Sequence, residues 1–115
     1  MIGDPKKKRK PRRQRHKESI IHCKDGHCFI CMTQGDFSIK PMLHKHHVFG
    51  GPRRKISEAE GLTVYLCPEH HTMGPEAVHK NHDMMRMLQR EGQRAFEETH
   101  TREQWMMLMG KNYFD

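Results

Sequence analysis

Two short ligand pairs constrain this chain more than any other feature: Cys28-Phe29-Ile30-Cys31 and Cys67-Pro68-Glu69-His70. In each, a short loop lets two side chains converge on one ion, and together the pairs supply the four ligands of a tetrahedral Zn²⁺. Size and composition say why such a staple is needed. With 115 residues, 34% hydrophobic against 30% charged, the chain is one small domain that buries little apolar surface. Metal binding then carries much of the folding free energy. A structural zinc at Cys28, Cys31, Cys67 and His70 ties the turn-rich residues 18–40 to a short helix opened by Pro68. Cys23 and His27 leave this ligand set open, since Cys23 is placed to replace one of the four. Four free thiols are the plain alternative. No apolar stretch is long enough for a transmembrane helix, and the basic N-terminus has no apolar run behind it. The expectation is a protein of the reducing cytoplasm, neither secreted nor in a membrane, where cysteines bind metal rather than pair.

The net charge of +7 is unevenly spread. Residues 1–17 hold nine Lys or Arg and one acid, Asp4, which leaves a nearly neutral body. This segment has no hydrophobic period and reads as a disordered basic arm, followed by a folded domain over 18–115. Lys6, Lys7, Lys8, Arg9, Lys10, Arg12, Arg13 and Arg15 suit a phosphate backbone, which makes DNA the expected partner. A solvated tail without a dedicated partner has the same composition. A nuclear import signal does too.

The remaining pattern is α+β. Residues 43–49 and 62–66 fit short strands, the first stopped by Gly50-Gly51-Pro52, and Phe37-Ser38-Ile39 alternates like a third. Ser57 to Glu60 fits one helical turn, with Ser57 as N-cap and Gly61 as its stop. Residues 83–110 read as helical. Met84, Met87, Leu88, Ala95 and Phe96 share a face, Arg86, Arg90 and Arg94 another, and Gly92 weakens the helix without breaking it. A second helix begins at Thr101, boxed by Gln104, and carries Trp105, Leu108 and Met109 to Gly110. The clustered methionines read as core filling.

Histidine forms a second constellation: His44, His46, His47, His70, His71, His79 and His82. On a regular strand His44 and His46 face one side and His47 the other. One neighbour can then hold a metal while the next addresses a water. Phosphodiester hydrolysis needs that division: a divalent cation to stabilise oxyanion charge, and a neutral imidazole to take a proton.

At this point the chain resembles a known family. The runs Leu43-His-Lys-His-His-Val-Phe-Gly-Gly51 and Gly61-Leu-Thr-Val-Tyr-Leu-Cys-Pro-Glu-His-His71 are similar to HNH endonucleases, and Cys28 to Cys31 to their zinc-knuckle versions. The C-terminal Gly92 to Phe96 and Gly110 to Tyr113 resemble small bacteriophage members, which implies a phage or prophage origin. The resemblance spans roughly residues 25–114. It implies a small ββα-metal core stapled by zinc, followed by C-terminal helices, and a metal-dependent nuclease that nicks or cuts DNA.

By position the resemblance makes His46 and His71 ligands of the catalytic ion, His79 a further candidate and His82 a weaker one, and His47 the general base. A His at position 46, where many members have Asp, shifts the metal from Mg²⁺ towards Mn²⁺, Ni²⁺ or Zn²⁺. The motif's middle Asn has no counterpart; Gly61 or Leu62 stands there, and a backbone carbonyl is the expected replacement for steadying His47. Arg53 and Arg54 suit the scissile or adjacent phosphate, or else are solvated loop charges. His70 and His71 are interchangeable at this stage, one for each metal. A recombinase or other DNA-processing protein is a further implied partner. The competing reading is a zinc-stapled nucleic-acid adaptor without catalysis; a small regulator of a host protein is a third.

Overall fold

Strands β1 (His44–His47) and β2 (Thr63–Leu66) form a two-stranded antiparallel sheet, with His44 opposite Leu66, His46 opposite Val64 and His47 opposite Thr63. They belong to a computed structural model that describes residues 17–115. Around the sheet lie α1 (Phe29–Thr33) before it, α2 (Arg54–Glu60) between its strands, and α3 (His82–Glu97) and α4 (Arg102–Met109) after it. The fold is therefore a small α+β fold, as the pattern predicts. The basic arm's Lys6, Lys7, Lys8, Arg9, Lys10, Arg12, Arg13 and Arg15 lie outside the described residues.

The connection from β1 to β2 differs from the sequence expectation in one respect. Ser57 is not an N-cap but sits buried in the middle of α2. A 3-10 turn at Gly51–Arg53, led by Pro52, starts the helix one turn earlier. Ser57 Oγ instead clamps the end of β1: it donates to Phe49 O at 2.8 Å and accepts from Phe49 N at 3.0 Å. Buried backbone groups need such partners, and after Val48 the sheet no longer supplies them. Gly61 ends α2 at φ 75°. A Cβ there would run into the carbonyl of Glu18, because residues 17–22 lie along β2, with Ile20 N donating to Gly61 O at 2.8 Å.

The core has two parts joined by the sheet. One is aliphatic and sulfur-rich: Cys28, Ile30, Cys31, Leu62, Val64 and Leu66. The other is aromatic. Phe49 packs on Trp105 and Tyr113 with ring centroids 5.5 and 4.9 Å apart, and Phe96 lies 5.3 Å from Trp105. Gly92 explains itself here, since a side chain would press on the Phe49 ring and close packing outweighs the lost helix propensity. The last residues close the core through Gln93, whose Oε1 accepts from Tyr113 N at 2.7 Å while Nε2 donates to Glu97 and Asn112. The Thr101–Gln104 capping box forms as predicted. The α3 start is capped by Asn81, whose side chain accepts from Met84 N.

Two further sequence expectations fail. Phe37 to Ile39 pairs with no strand among the described residues; Phe37 is 64% and Ile39 66% exposed. Asp36 folds this stretch into a local turn by accepting from Ser38 N and Oγ, which competes with sheet pairing. The methionines divide: Met109 is buried and Met84 and Met87 pack on the core, but Met73 and Met107 are exposed. Among the described residues, no helix is long and apolar enough to cross a membrane.

Candidate metal centres

The first centre follows from local winding. Cys28 caps α1 with its sulfur facing Cys31 N at 3.5 Å, so one tight turn presents both thiols on one side. Across from it, β2 ends at Leu66 and the chain enters a single π-helical turn, Glu69–Met73, with His70 N and His71 N both donating to Cys67 O. That turn points His70 Nδ1 at the sulfurs: 3.6 Å from Cys28 Sγ, 3.4 Å from Cys31 Sγ and 3.5 Å from Cys67 Sγ, with Cys31 and Cys67 Sγ 3.9 Å apart. A tetrahedron with metal–sulfur bonds of about 2.3 Å has edges of about 3.8 Å. The four side chains thus stand at the corners of a tetrahedron that could hold a metal ion such as zinc, all nearly or fully buried. Burial and the neighbouring sulfurs raise the Cys31 thiol well above its ordinary value, to about 12. Cys23 is exposed and takes no part, and His27 Nδ1 lies by Ser38 O instead.

The second centre arises from β1, the same π-helical turn and the turn that carries His79 after it. Successive residues in a helical turn point about 100° apart, and while His70 joins the sulfurs, His71 joins the sheet. His46, buried on β1, has ring centroids 5.4 Å from His71 and 5.3 Å from His79, with His71 and His79 4.8 Å apart. One nitrogen of each lies close enough to the others for all three to hold one ion. Two observations fit a cation. His46 Nε2 is buried with no hydrogen-bond partner, a costly arrangement for a polar atom. His71 and His79 bring their Nε2 atoms to 3.2 Å, a separation that needs a proton or a cation between them. Burial first, then the neighbouring imidazoles, lower His46 to about 3, and the same causes lower His71. His46 and His71 are therefore biased towards neutral rings, each with a lone pair to offer. His82 begins α3, exposed and outside the trio.

His44 and Glu58 complete the site, and sequence reasoning assigned neither a role. His44 Nδ1 lies 3.0 Å from His71 Nδ1. With His71 Nε2 turned to the trio, its Nδ1–H donates to His44, the kind of outer contact that fixes a ligand's tautomer. Strand alternation gave the signal, since it sends His44 to the His46 side. Glu58, on α2, meets the other side of β1: His47 Nε2 is 2.6 Å from its Oε1, and Lys45 Nζ donates to its Oε2 at 2.9 Å. The expectation of a backbone carbonyl behind His47 is corrected here. The group on that ring is a side-chain carboxylate.

A cleft of about 200 Å³ joins these groups, lined by Lys45, His46, His47, Gly50, Arg54, His71 and His79. Arg53 is not at the cleft. Its Nε and Nη2 donate to Met109 O at 3.2 and 3.1 Å, which ties the loop after β1 to the end of α4. Of the two arginines expected at phosphate, Arg54 faces the opening and Arg53 fastens the scaffold. Comparison of the chain with known protein families, with functionally characterised proteins and with solved structures finds no match.

Proposed function

We propose that this protein is a metal-dependent endonuclease of the HNH kind that hydrolyses DNA phosphodiester bonds. The observation that carries the reading is the meeting in one cleft of the His46, His71 and His79 trio with His47 and Arg54. The antiparallel strands and the helical turn that carry His46, His47 and His71 fit the ββα-metal core that the sequence resemblance implies. His46, His71 and His79 would hold a divalent cation, which would supply charge stabilisation for the phosphoryl and leaving oxygens. His47 takes the proton from the attacking water at Nδ1, because Nε2 is turned to Glu58. The water oxygen bonds to phosphorus as the bond to O3′ breaks. The products are a 5′-phosphate and a 3′ oxygen that takes its proton from solvent. Arg54 neutralises charge on a non-bridging oxygen or on the adjacent phosphate. Cys28, Cys31, Cys67 and His70 would hold zinc with no position left open, so that this centre would serve the fold.

The test is nicking of supercoiled plasmid after mild chelation, with Mg²⁺, Mn²⁺, Ni²⁺ or Zn²⁺ restored singly. Metal-dependent nicking, abolished in His47→Ala at unchanged zinc content, is expected. Salt-sensitive DNA binding without cleavage by any of the four metals would replace this reading with the zinc-stapled adaptor, or with an enzyme that needs a DNA-processing partner.

A further inference from the structure

Resting on the nuclease reading, we infer that Glu58 is the positioning residue of His47, standing in for the Asn that the motif lacks. Three observations carry this. First, His47 Nε2 and Glu58 Oε1 are 2.6 Å apart, a short charge-assisted contact between side chains 16% and 18% exposed. An ionised carboxylate only accepts hydrogen bonds, so Nε2 carries the ring hydrogen. That leaves Nδ1 with the lone pair, and His47 lines the cleft. Second, the second oxygen of Glu58 accepts from Lys45 Nζ at 2.9 Å. Lys45 and His47 are two apart on β1 and face the same side, so one carboxylate spans both and its plane is fixed at two points. Third, the carboxylate is delivered by a rigid route. Ser57, its neighbour in α2, is fully buried and bonds both backbone groups of Phe49, two residues beyond His47. The helix that carries Glu58 and the strand that carries His47 are therefore locked in register at adjacent positions.

Glu58 touches neither water nor phosphate in this scheme. It sets which nitrogen of His47 is free and where that nitrogen points. Imidazole tautomers interconvert readily in water, and a base presenting the wrong nitrogen half of the time, or a freely turning ring, loses rate without losing substrate.

The experiment pairs Glu58→Ala with Glu58→Gln in the zinc-loaded full chain. Nicking is followed in Mn²⁺, and the His47 tautomer is read by ¹⁵N–¹H correlation of the imidazole. Loss of an outer partner of a metal or catalytic site commonly lowers activity about 10–100-fold. Glu58→Ala should lower kcat in that range with KM for DNA, zinc content and Mn²⁺ affinity unchanged. Glu58→Gln keeps an acceptor oxygen and should recover most of the rate. The wild type should show His47 protonated at Nε2, and Glu58→Ala a mixture of tautomers. A wild type that nicks, with Glu58→Ala equally active or with an unaltered His47 tautomer, overturns the assignment and leaves the nuclease reading intact. Equal losses in Ala and Gln variants, accompanied by a matching fall in Tm, would reduce Glu58 to a structural ion pair. If the wild type does not nick at all, the nuclease reading fails separately. The tautomer then still decides whether Glu58 orients the ring.

Discussion

The two histidine-bearing centres share one short helical turn yet have opposite character. His70 enters a group of three sulfurs in which every corner of a tetrahedron is filled by protein and almost nothing reaches solvent. His71, the next residue, enters a trio of imidazoles with one buried, one half-buried and one exposed member. A cation bound by three protein ligands beside a cleft keeps a position for water or substrate; one bound by four in the core does not. The difference teaches how a small chain separates stability from chemistry. The centre proposed to hold the fold is closed and sulfur-rich. The centre proposed to act is open, made of imidazole nitrogens, and reinforced from behind by His44 and Glu58.

The largest expected effect separates the two centres directly. Cys31→Ser or Cys67→Ser should abolish zinc retention and cooperative folding, seen as loss of the folded circular dichroism signal and of bound zinc. Structural zinc contributes about 10–16 kcal/mol in small zinc-binding peptides, comparable with the whole stability of a typical domain. His71→Ala should keep the fold and the zinc, and lose only the second ion in titration calorimetry. If the Cys67→Ser protein folded normally, the division of labour would be wrong.

Within the open centre, His47→Ala should reduce nicking by about 10²–10⁴-fold, the usual range for a general base, while both metal contents stay constant. A drop in metal content alongside the rate would instead make His47 a ligand.

A third prediction concerns pH in protein stripped of the second ion but retaining zinc. His46 titrates near 3 when folded against an ordinary 6.5, because burial and the imidazoles around it disfavour the charged ring. Between those values the unfolded chain binds the extra proton. The stability owed to neutral His46 is thus complete above about pH 6.5 and is lost as pH falls towards 3. Denaturant midpoints of wild type and His46→Gln, compared from pH 7 to pH 4.5, should converge on acidification. Parallel curves would show that His46 is not held neutral by burial.

The smallest effect should distinguish neighbouring arginines. Arg53→Ala removes two hydrogen bonds to Met109 O and should cost about 1–2 kcal/mol, a fall in Tm of several degrees. Arg54→Ala should leave Tm unchanged and weaken nicking. The reverse pattern would place Arg53, not Arg54, at the phosphate.

How much of this was legible in advance depends on the range of the contact. The Cys-x2-Cys and Cys-x2-His pairs were readable because a spacing of two residues confines both ligands to one turn, whatever the rest of the chain does. The opposed faces of His46 and His47 were readable because strand geometry alternates. The Thr101–Gln104 box was readable for the same local reason. Ser57 was misread as a cap since its hydroxyl serves the backbone of Phe49, eight residues earlier, and no local rule weighs that competitor. Phe37 to Ile39 alternates like a strand, but alternation cannot supply the neighbouring strand that pairing needs.

The ligand types, their grouping into short-range pairs and the α+β pattern follow from the order of residues, because these rest on periodicity and on the chemistry of single side chains. Tertiary structure alone decided that His70 goes to sulfur and His71 to imidazole. It also put Glu58 behind His47 and Arg53 on Met109. Those outcomes require segments distant in sequence to meet: the turn after β2 with α1 and β1, α2 with β1, and the loop after β1 with the end of α4. A side chain's reach is only a few ångströms, so its partner is settled by packing of the whole core.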